Sequence, residues 1–443
     1  MIATYRMLTQ FLRWPERVLG PRLTLKEANL ICWGLFFALL APAVYRAEQG
    51  QNRIGRLIPD VDFVNFYAMG RILNEYPAAE LYDADLQTRI RTQVHPLSLG
   101  SYGPIPYPPF IGLLFQPFAR LPYATAYHLW LSISLALYIV ALVMVSARFF
   151  PGDLLRLSLI CCLALCYFPF VIETLVNGQL STIGFFTLAL AFLLQDSERF
   201  FLSGLALSLC AYKPTLVLLL VPMLFVTKRF KLLTGAFTGA VALLLFTTVV
   251  SGTQVWPGYL GLLFRFGRAS IGVQTGSILN LTKYVDLVAF SSLLPHGRSW
   301  PALAMLFGCA LWAAFSLVRA WWNTAGAGKA GNRLAWSATL TWTLLLNIYV
   351  PVYDTILVVL SILITAGALK DAPREPLRRF LSLLWPVILV ASWVTVHCAS
   401  AWHIQIITVL LAALGVVQLR ILRTATAPVS RQTSGVGAAK VSP

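Results

Sequence analysis

Long apolar runs separated by short polar segments extend over most of the chain. A straight helix needs about 20 apolar residues to cross a bilayer. Lipid offers no partner to backbone polar groups, so such runs are expected to be helical. The pattern predicts twelve helices at Ala28–Val44, Tyr123–Ala147, Leu154–Ile172, Leu180–Leu194, Phe200–Tyr212, Thr215–Val226, Leu232–Val250, Trp300–Val318, Leu334–Val350, Thr355–Leu369, Phe380–Val396 and Trp402–Leu419.

Composition narrows the class of protein further. Of 443 residues, 58% are hydrophobic and only 12% are charged, and the mean hydropathy is +0.74. A soluble domain carries about 25% charged residues, so a water-soluble globule and a disordered chain are excluded. The seven cysteines form no C-x-x-C pair, which argues against a metal cluster or a disulfide framework. The predicted fold class is an all-α polytopic membrane protein.

The positive charges predict the topology. The chain has 34 Lys and Arg against 17 Asp and Glu, a net charge of +17. If the N-terminus is cytoplasmic, most basic residues fall on cytoplasmic segments, as the positive-inside rule requires. We therefore expect a multi-pass protein of the cell (inner or plasma) membrane with both termini in the cytoplasm. This asymmetry accounts for the basic composition without a nucleic-acid partner.

The same topology predicts three parts of the chain. Residues 1–27 form a cytoplasmic N-terminal segment, residues 28–423 the transmembrane domain, and residues 424–443 a disordered cytoplasmic tail. Two outer loops are long, at about 46–122 and 251–299. In the first loop, the apolar stretch Phe110–Phe118 is too short to cross and is expected to lie in, or dip into, the outer interface.

Ionisable and polar residues gather on the predicted outer side. Polar groups at membrane depth are costly and often mark a functional site. Their concentration on one face favours an enzyme that works at the outer surface over a pump or channel. The residues in question include Asp60, Asp62, Lys213, Arg265, Arg268, Tyr353 and Asp354.

Asp60 and Asp62 precede an apolar run and allow three interpretations. Asp62 could cap the helix that begins at Phe63. It could instead be a general base at the mouth of a cavity. Third, the D-x-D pair could bind a divalent cation, because hard cations prefer carboxylate oxygens.

Four other groups of polar residues on the predicted outer side have structural or functional interpretations. Asn177-Gly178 is a common turn pair, and Gln179 could hydrogen-bond a sugar hydroxyl. Lys213 could snorkel to the interface or bind a lipid phosphate. Arg265 and Arg268 could contact headgroups or that phosphate, and Asp354 could cap the next helix.

Several short motifs follow one another in a fixed order along the chain. They are Asp62-Phe63-x-x-Phe66-Tyr67, Leu81-Tyr82-Asp83, Tyr107-Pro108-Pro109, Leu121-Pro122, Trp130, Asn177-Gly178-Gln179, Lys213-Pro214, Gly276-Ser277-Ile278-Leu279 and Tyr353-Asp354. Their order resembles that of glycosyltransferase family 87, and the match covers roughly residues 60–360.

The resemblance implies a GT-C-like fold with about twelve spans and short helices in the long first outer loop. It also implies a polyprenyl-phosphate sugar donor, typically mannose, used on the non-cytoplasmic side. Asp62 would be the catalytic base, and Lys213, with Arg265 or Arg268, would bind the donor phosphate. Some members have His in place of Tyr353-Asp354. Residues expected to contact sugar or acceptor are Asn65, Tyr67, Tyr107, Gln179, Tyr353 and Asp354.

The expected function is an inverting glycosyltransferase that moves a sugar, mannose by resemblance, onto a lipid or glycan acceptor of the cell envelope. No Rossmann fingerprint for a nucleotide is present, and no cofactor is expected. Membrane lipids, the lipid-linked donor and the acceptor are the expected partners. Two alternatives remain open. One is a transporter or flippase of lipid-linked sugars. The other is a metal-dependent GT-C enzyme with a pyrophosphate-linked donor, which chelation would inactivate.

Overall fold

The computed structural model describes residues 25–52, 62–94, 105–271, 281–294, 299–324, 328–347, 349–370 and 375–425. These residues are mostly helical, and the β structure among them is a single bridge between Tyr284 and Pro351. The α-helices up to the middle of the chain are α1 Leu25–Asn52, α2 Phe63–Glu75, α3 Ala84–Val94, α4 Pro109–Phe115, α5 Tyr123–Phe149, α6 Leu154–Leu165, α7 Ser181–Asp196, α8 Phe200–Ser208 and α9 Leu220–Val226.

The second half of the chain continues the helical pattern. Its α-helices are α10 Phe230–Ser251, α11 Val255–Ile271, α12 Leu287–Leu293, α13 Trp300–Asn323, α14 Gly328–Leu345, α15 Leu357–Ala368, α16 Glu375–Trp402 and α17 Ile406–Ala425. A π-helix at Pro169–Val176 precedes α7. Short 3-10 helices lie at Ala78–Tyr82, Phe118–Arg120, Leu209–Tyr212, Pro214–Val217, Leu281–Lys283 and Val352–Ile356.

Each of the twelve predicted apolar runs falls on helical segments, but twelve membrane spans are not confirmed. Five helices in the described residues are long and apolar enough to cross a bilayer, or six if α6 and the π-helix, bent by 64°, form one span. The difference arises because several runs are divided into short pieces, as at Lys213-Pro214. Proline removes a backbone donor and disfavours helix at the preceding residue. The five helices support a membrane protein.

The first long loop contains short helices, α2 to α4, that pack together. The apolar stretch Phe110–Phe118 forms most of α4 and the turn after it, and its Ile111, Phe115 and Phe118 are buried in the main core. A side chain at Gly70 of α2 would place its Cβ 2.3 Å from the Phe115 carbonyl oxygen. The stretch therefore lies directly against α2.

Glycines also allow α8 and α10 to approach closely. A Cβ at Gly204 would lie 2.0 Å from the Leu232 carbonyl oxygen, and a Cβ at Gly235 would lie 2.1 Å from that of Phe201. Small residues permit such backbone contact between helices in lipid, where van der Waals packing drives helix association.

Replacing Gly235 with Ala is expected to lower the melting temperature of the purified protein. The new methyl group must displace backbone, and overpacking of this kind costs about 1–3 kcal/mol. Gly308→Ala is the matched control, since Gly308 is also helical but has nothing within 4 Å of an added Cβ. Thermal unfolding in detergent should show a loss for Gly235→Ala alone. Equal melting temperatures for the two variants would contradict this account of α8 and α10.

Candidate active site

A tight turn after the π-helix holds the backbone at Asp62. The Asn177 carbonyl accepts a hydrogen bond from the Phe63 backbone N–H at 3.0 Å. Gly178 has φ +70°, and an added Cβ there would lie 2.7 Å from Phe63 Cβ. Glycine reaches this left-handed conformation without steric cost and leaves room for Phe63. The Asn-Gly pair therefore forms a turn that contacts the start of α2.

The Asp62 carboxylate faces the same turn. Its Oδ2 accepts a hydrogen bond from Gln179 Nε2 at 2.5 Å. Asp62 occupies the N-cap position of α2, but its side chain makes no capping hydrogen bond. The interpretation of Asp62 as a helix cap is therefore wrong. The carboxylate is oriented by a residue 117 positions away in the sequence.

A second carboxylate lies on the other side of the turn. Asp354 accepts a hydrogen bond from Ser181 Oγ at 3.1 Å, and Lys213 Nζ lies 2.5 Å from Asp354 Oδ2. The side chains of Lys213 and Asp354 are 9% and 2% exposed. Lys213 therefore does not snorkel into the headgroups. Asp354 lies inside a 3-10 helix and caps neither that helix nor α15, so the capping interpretation is wrong here too.

Tyrosine side chains surround this ion pair. Lys213 Nζ lies over the rings of Tyr353 and Tyr349, 4.7 and 5.6 Å from their centroids. Cations are attracted to the faces of aromatic rings at these distances. Tyr353 interacts electrostatically with Tyr107 and with Tyr349, whose ring centroid lies 5.1 Å from that of Tyr284. We call Tyr107, Tyr284, Tyr349 and Tyr353 the tyrosine cluster.

Electrostatics connect both carboxylates to the tyrosine cluster. Burial raises the pKa of Tyr107 well above its ordinary value, and the negative charges of Asp354 and Asp62 add to that increase. Burial also raises the pKa of Tyr284 and of Tyr349. Removal from water disfavours the charged form of a group. The hydroxyls are therefore neutral and able to donate hydrogen bonds to a ligand beside them.

The structure adds two charged residues that sequence reasoning missed. Glu173, on the π-helix, accepts a hydrogen bond from Asn177 Nδ2 at 3.0 Å. Lys283 Nζ lies 3.9 Å from the other oxygen of Glu173, and the Lys283 side chain is 50% exposed. An acidic residue within the apolar run Phe168–Val176 was the signal available in the sequence. Single-turn π-helices are frequent at functional sites.

The structure places Asn65 and Tyr67 in hydrogen bonds with other residues of the first long loop. The Tyr67 hydroxyl donates to the Leu121 carbonyl at 2.8 Å, and Asn65 Oδ1 accepts from Arg91 at 3.1 Å. Arg265 is exposed near the end of α11. Arg268 lies on the same helix, but its side chain is outside the described residues, as is all of Asp60.

A metal site at the D-x-D pair stays a hypothesis. Within the described part of the chain, no group of three or more His, Cys, Asp or Glu is arranged to hold a metal ion. Asp60, one half of the pair, is not among those residues. Asp62 is described, and its Oδ2 is bonded to Gln179.

Comparison with known proteins identifies the class of protein that carries this site. The family model for glycosyltransferase family 87 matches residues 106–351, more than half of the chain. The chain belongs to glycosyltransferase family 87, and the protein is a glycosyltransferase of the membrane. No curated protein and no solved structure matches it. The matched segment contains Gln179, Ser181, Lys213 and Tyr349, while Asp62 and Asp354 flank it.

The Lys213–Asp354 pair makes a prediction about stability. Lys213→Met leaves a buried carboxylate without its cation, which typically costs about 3–5 kcal/mol. Replacing both residues, as in Lys213→Met with Asp354→Leu, should recover most of that loss because apolar pairs are often neutral substitutes for buried ion pairs. The measurement is thermal unfolding of three purified variants: Lys213→Met, Asp354→Leu and the double variant. Additive losses in the double variant would show that the two residues do not act as a pair.

Proposed function

We propose that this protein is an inverting GT-C glycosyltransferase that transfers a sugar, mannose in the simplest case, from a polyprenyl-phosphate donor. The acceptor is a hydroxyl of a lipid or glycan at the non-cytoplasmic face of the cell membrane. Family membership supports the class of reaction. The arrangement of Asp62, Gln179 and the tyrosine cluster beside Lys213 supports the location and the mechanism.

Asp62 serves as the general base in this proposal. The acceptor hydroxyl attacks the anomeric carbon and gives its proton to the Asp62 carboxylate. The bond from the anomeric carbon to the phosphate oxygen breaks, and polyprenyl phosphate leaves with the electron pair. Gln179 fixes the carboxylate by its hydrogen bond to Oδ2. A single displacement of this kind inverts the sugar, so a β-linked donor gives an α-linked product.

Gln179 also has an atom suited to the sugar. Its side chain is 5% exposed, and its Oε1 is buried without a hydrogen-bond partner in the described structure. An unpaired buried acceptor costs about 1–3 kcal/mol. A sugar hydroxyl would satisfy it while Nε2 holds Asp62. Gln179 would then place the sugar relative to the base.

The donor phosphate would lie near Lys213, next to the Tyr107 and Tyr353 hydroxyls. Asp354 neutralises Lys213 in the absence of donor. Hydrogen bonds from tyrosine hydroxyls can stabilise the charge that develops on the leaving phosphate without reorganising solvent. Lys283 and an arginine of α11, Arg265 or Arg268, are the other candidate cations. Asp354 acts in this arrangement through Lys213, while Tyr353 contributes its hydroxyl and the ring face beside Lys213.

Asn65 and Tyr67 have a supporting position in the proposal. The Asn65 side chain connects α2 to Arg91 of α3, and Tyr67 connects α2 to the Leu121 carbonyl. These bonds fix α2, whose first residue follows Asp62, against the rest of the first loop. Their contribution to sugar or acceptor binding would be the rigidity of that helix.

Asp62→Asn is expected to lower transfer by at least about 100-fold, because a positioned base contributes about 10²- to 10⁴-fold. The amide cannot accept the proton but keeps the size of the side chain. Purified protein would be given polyprenyl-phosphate mannose and an envelope lipid extract, and the labelled product would be measured. Glu75→Gln is the matched control, since Glu75 is an exposed carboxylate at the other end of the same helix.

Donor binding separates loss of chemistry from loss of folding. Asp62→Asn should retain donor binding and the melting temperature of the wild type. Transfer at the wild-type rate by folded Asp62→Asn would refute the assignment of the base. A transporter of lipid-linked sugars would move labelled donor across vesicles without forming a new glycosidic bond, so the same labelled donor distinguishes that alternative.

A further inference from the structure

A cavity of about 420 Å³ lies between α6, α15 and α16, away from the tyrosine cluster. α15 follows directly after the 3-10 helix of Asp354, whereas Lys370, just beyond the other end of α15, lines the cavity. Lys370 follows Asp354 by 16 positions, which correspond to roughly 24 Å of helix. The cavity therefore belongs to the opposite end of the helix bundle and takes no part in the proposed transfer.

The walls of the cavity are apolar and the cavity is elongated along the helices. Leu163, Ile362 and Trp385 are among the lining residues. On α15 and the turn after it, the lining extends from Val359 to Lys370. Eleven residues of helix correspond to roughly 16 Å, close to half of the roughly 30 Å hydrocarbon core of a bilayer. The depth of the cavity thus matches the acyl region of one leaflet.

Two basic side chains line the same cavity near one end. Arg156 lies in the first turn of α6, and Lys370 follows α15. The Arg156 guanidinium lies over the Phe150 ring, 4.8 Å from its centroid. Its Nε is 3.2 Å from Asp153 Oδ2, while the other Asp153 oxygen caps α6 at the Arg156 N–H. Guanidinium has five N–H donors, and one of them faces Asp153.

We infer that this cavity binds one molecule of an anionic phospholipid from the leaflet opposite the active site. The phosphate would lie between Arg156 and Lys370, and one acyl chain would fill the space along Ile362 and Trp385. A small soluble anion would leave the apolar walls in contact with water. A zwitterionic lipid such as phosphatidylcholine also carries a phosphate, but two cations beside that phosphate would repel its quaternary ammonium group. Charge and depth together select an anionic lipid.

Native mass spectrometry of the intact protein in detergent tests the inference directly. Phosphatidylglycerol would be titrated against phosphatidylcholine with the same acyl chains. Wild type is expected to bind one phosphatidylglycerol in preference to phosphatidylcholine. Arg156→Gln with Lys370→Gln should weaken phosphatidylglycerol binding roughly 30-fold, at roughly fivefold for each basic side chain near a membrane surface. Phosphatidylcholine binding should not change.

Two further variants test whether the lipid binds in this cavity or is attracted by basic residues anywhere on the protein surface. Arg199→Gln with Lys231→Gln removes two exposed basic residues, one just before α8 and one on α10, and should leave phosphatidylglycerol affinity unchanged. Ala366→Trp fills the cavity from an exposed lining position and should abolish the bound lipid while both cations remain. Equal affinity for the two lipids, or an equal loss in both double variants, would overturn the inference. Undiminished binding by Ala366→Trp would overturn it as well.

Discussion

The turn from Asn177 to Ser181 supports both carboxylates of the candidate site. Its first residue binds the backbone at Phe63, Gln179 binds Asp62, and Ser181 binds Asp354. In a site removed from water, a buried polar group without a partner destabilises the fold. Ser181 of the turn gives buried Asp354 a hydrogen bond, and Gln179 fixes the Asp62 carboxylate. Gln179 Oε1 has no hydrogen-bond partner in the described structure. Gly178 is the residue that allows the turn to contact α2.

The two carboxylates beside the tyrosine cluster have different surroundings, which is why we propose Asp62 as the proton acceptor. Asp354 is buried and paired with Lys213, whereas Asp62 is partly exposed and bonded to a neutral amide. The tyrosine cluster between them is neutral because burial disfavours its ionised form. A neutral, hydrogen-bonding surface beside one carboxylate suits a reaction in which the attacking hydroxyl loses its proton as the new bond forms. Fixed donors can then stabilise the leaving phosphate.

The sequence predicted the helices well because lipid and core both require continuous apolar runs. It predicted the number of spans poorly, since hydropathy does not show where a run bends or breaks. Leu154–Ile172 reads as one helix, yet it bends by 64° before the π-helix. Local patterns also identified Asp62 as a polar residue at a helix start, but they could not decide between a cap and a base.

Contacts between residues far apart in the chain could not be predicted from the sequence. Asp354 accepts bonds from residues 173 and 141 positions away, and no local pattern connects Ser181 or Lys213 to it. Tyr284 reaches the tyrosine cluster from a distant part of the chain, where a single bridge pairs it with Pro351 and its ring lies 5.1 Å from that of Tyr349. Conversely, Asn65 and Tyr67 fit the motif but bond to α3 and to the Leu121 carbonyl. Glu173 was missed because its neighbours in the sequence are apolar.

The stereochemistry of the product tests the central claim most directly. The protein would be given a donor with a defined β-linkage between sugar and polyprenyl phosphate, and the new glycosidic bond would be examined by NMR. One displacement with Asp62 as the base gives an α-linked product. A β-linked product would contradict the proposed mechanism, because retention requires a second displacement or a different mode of attack.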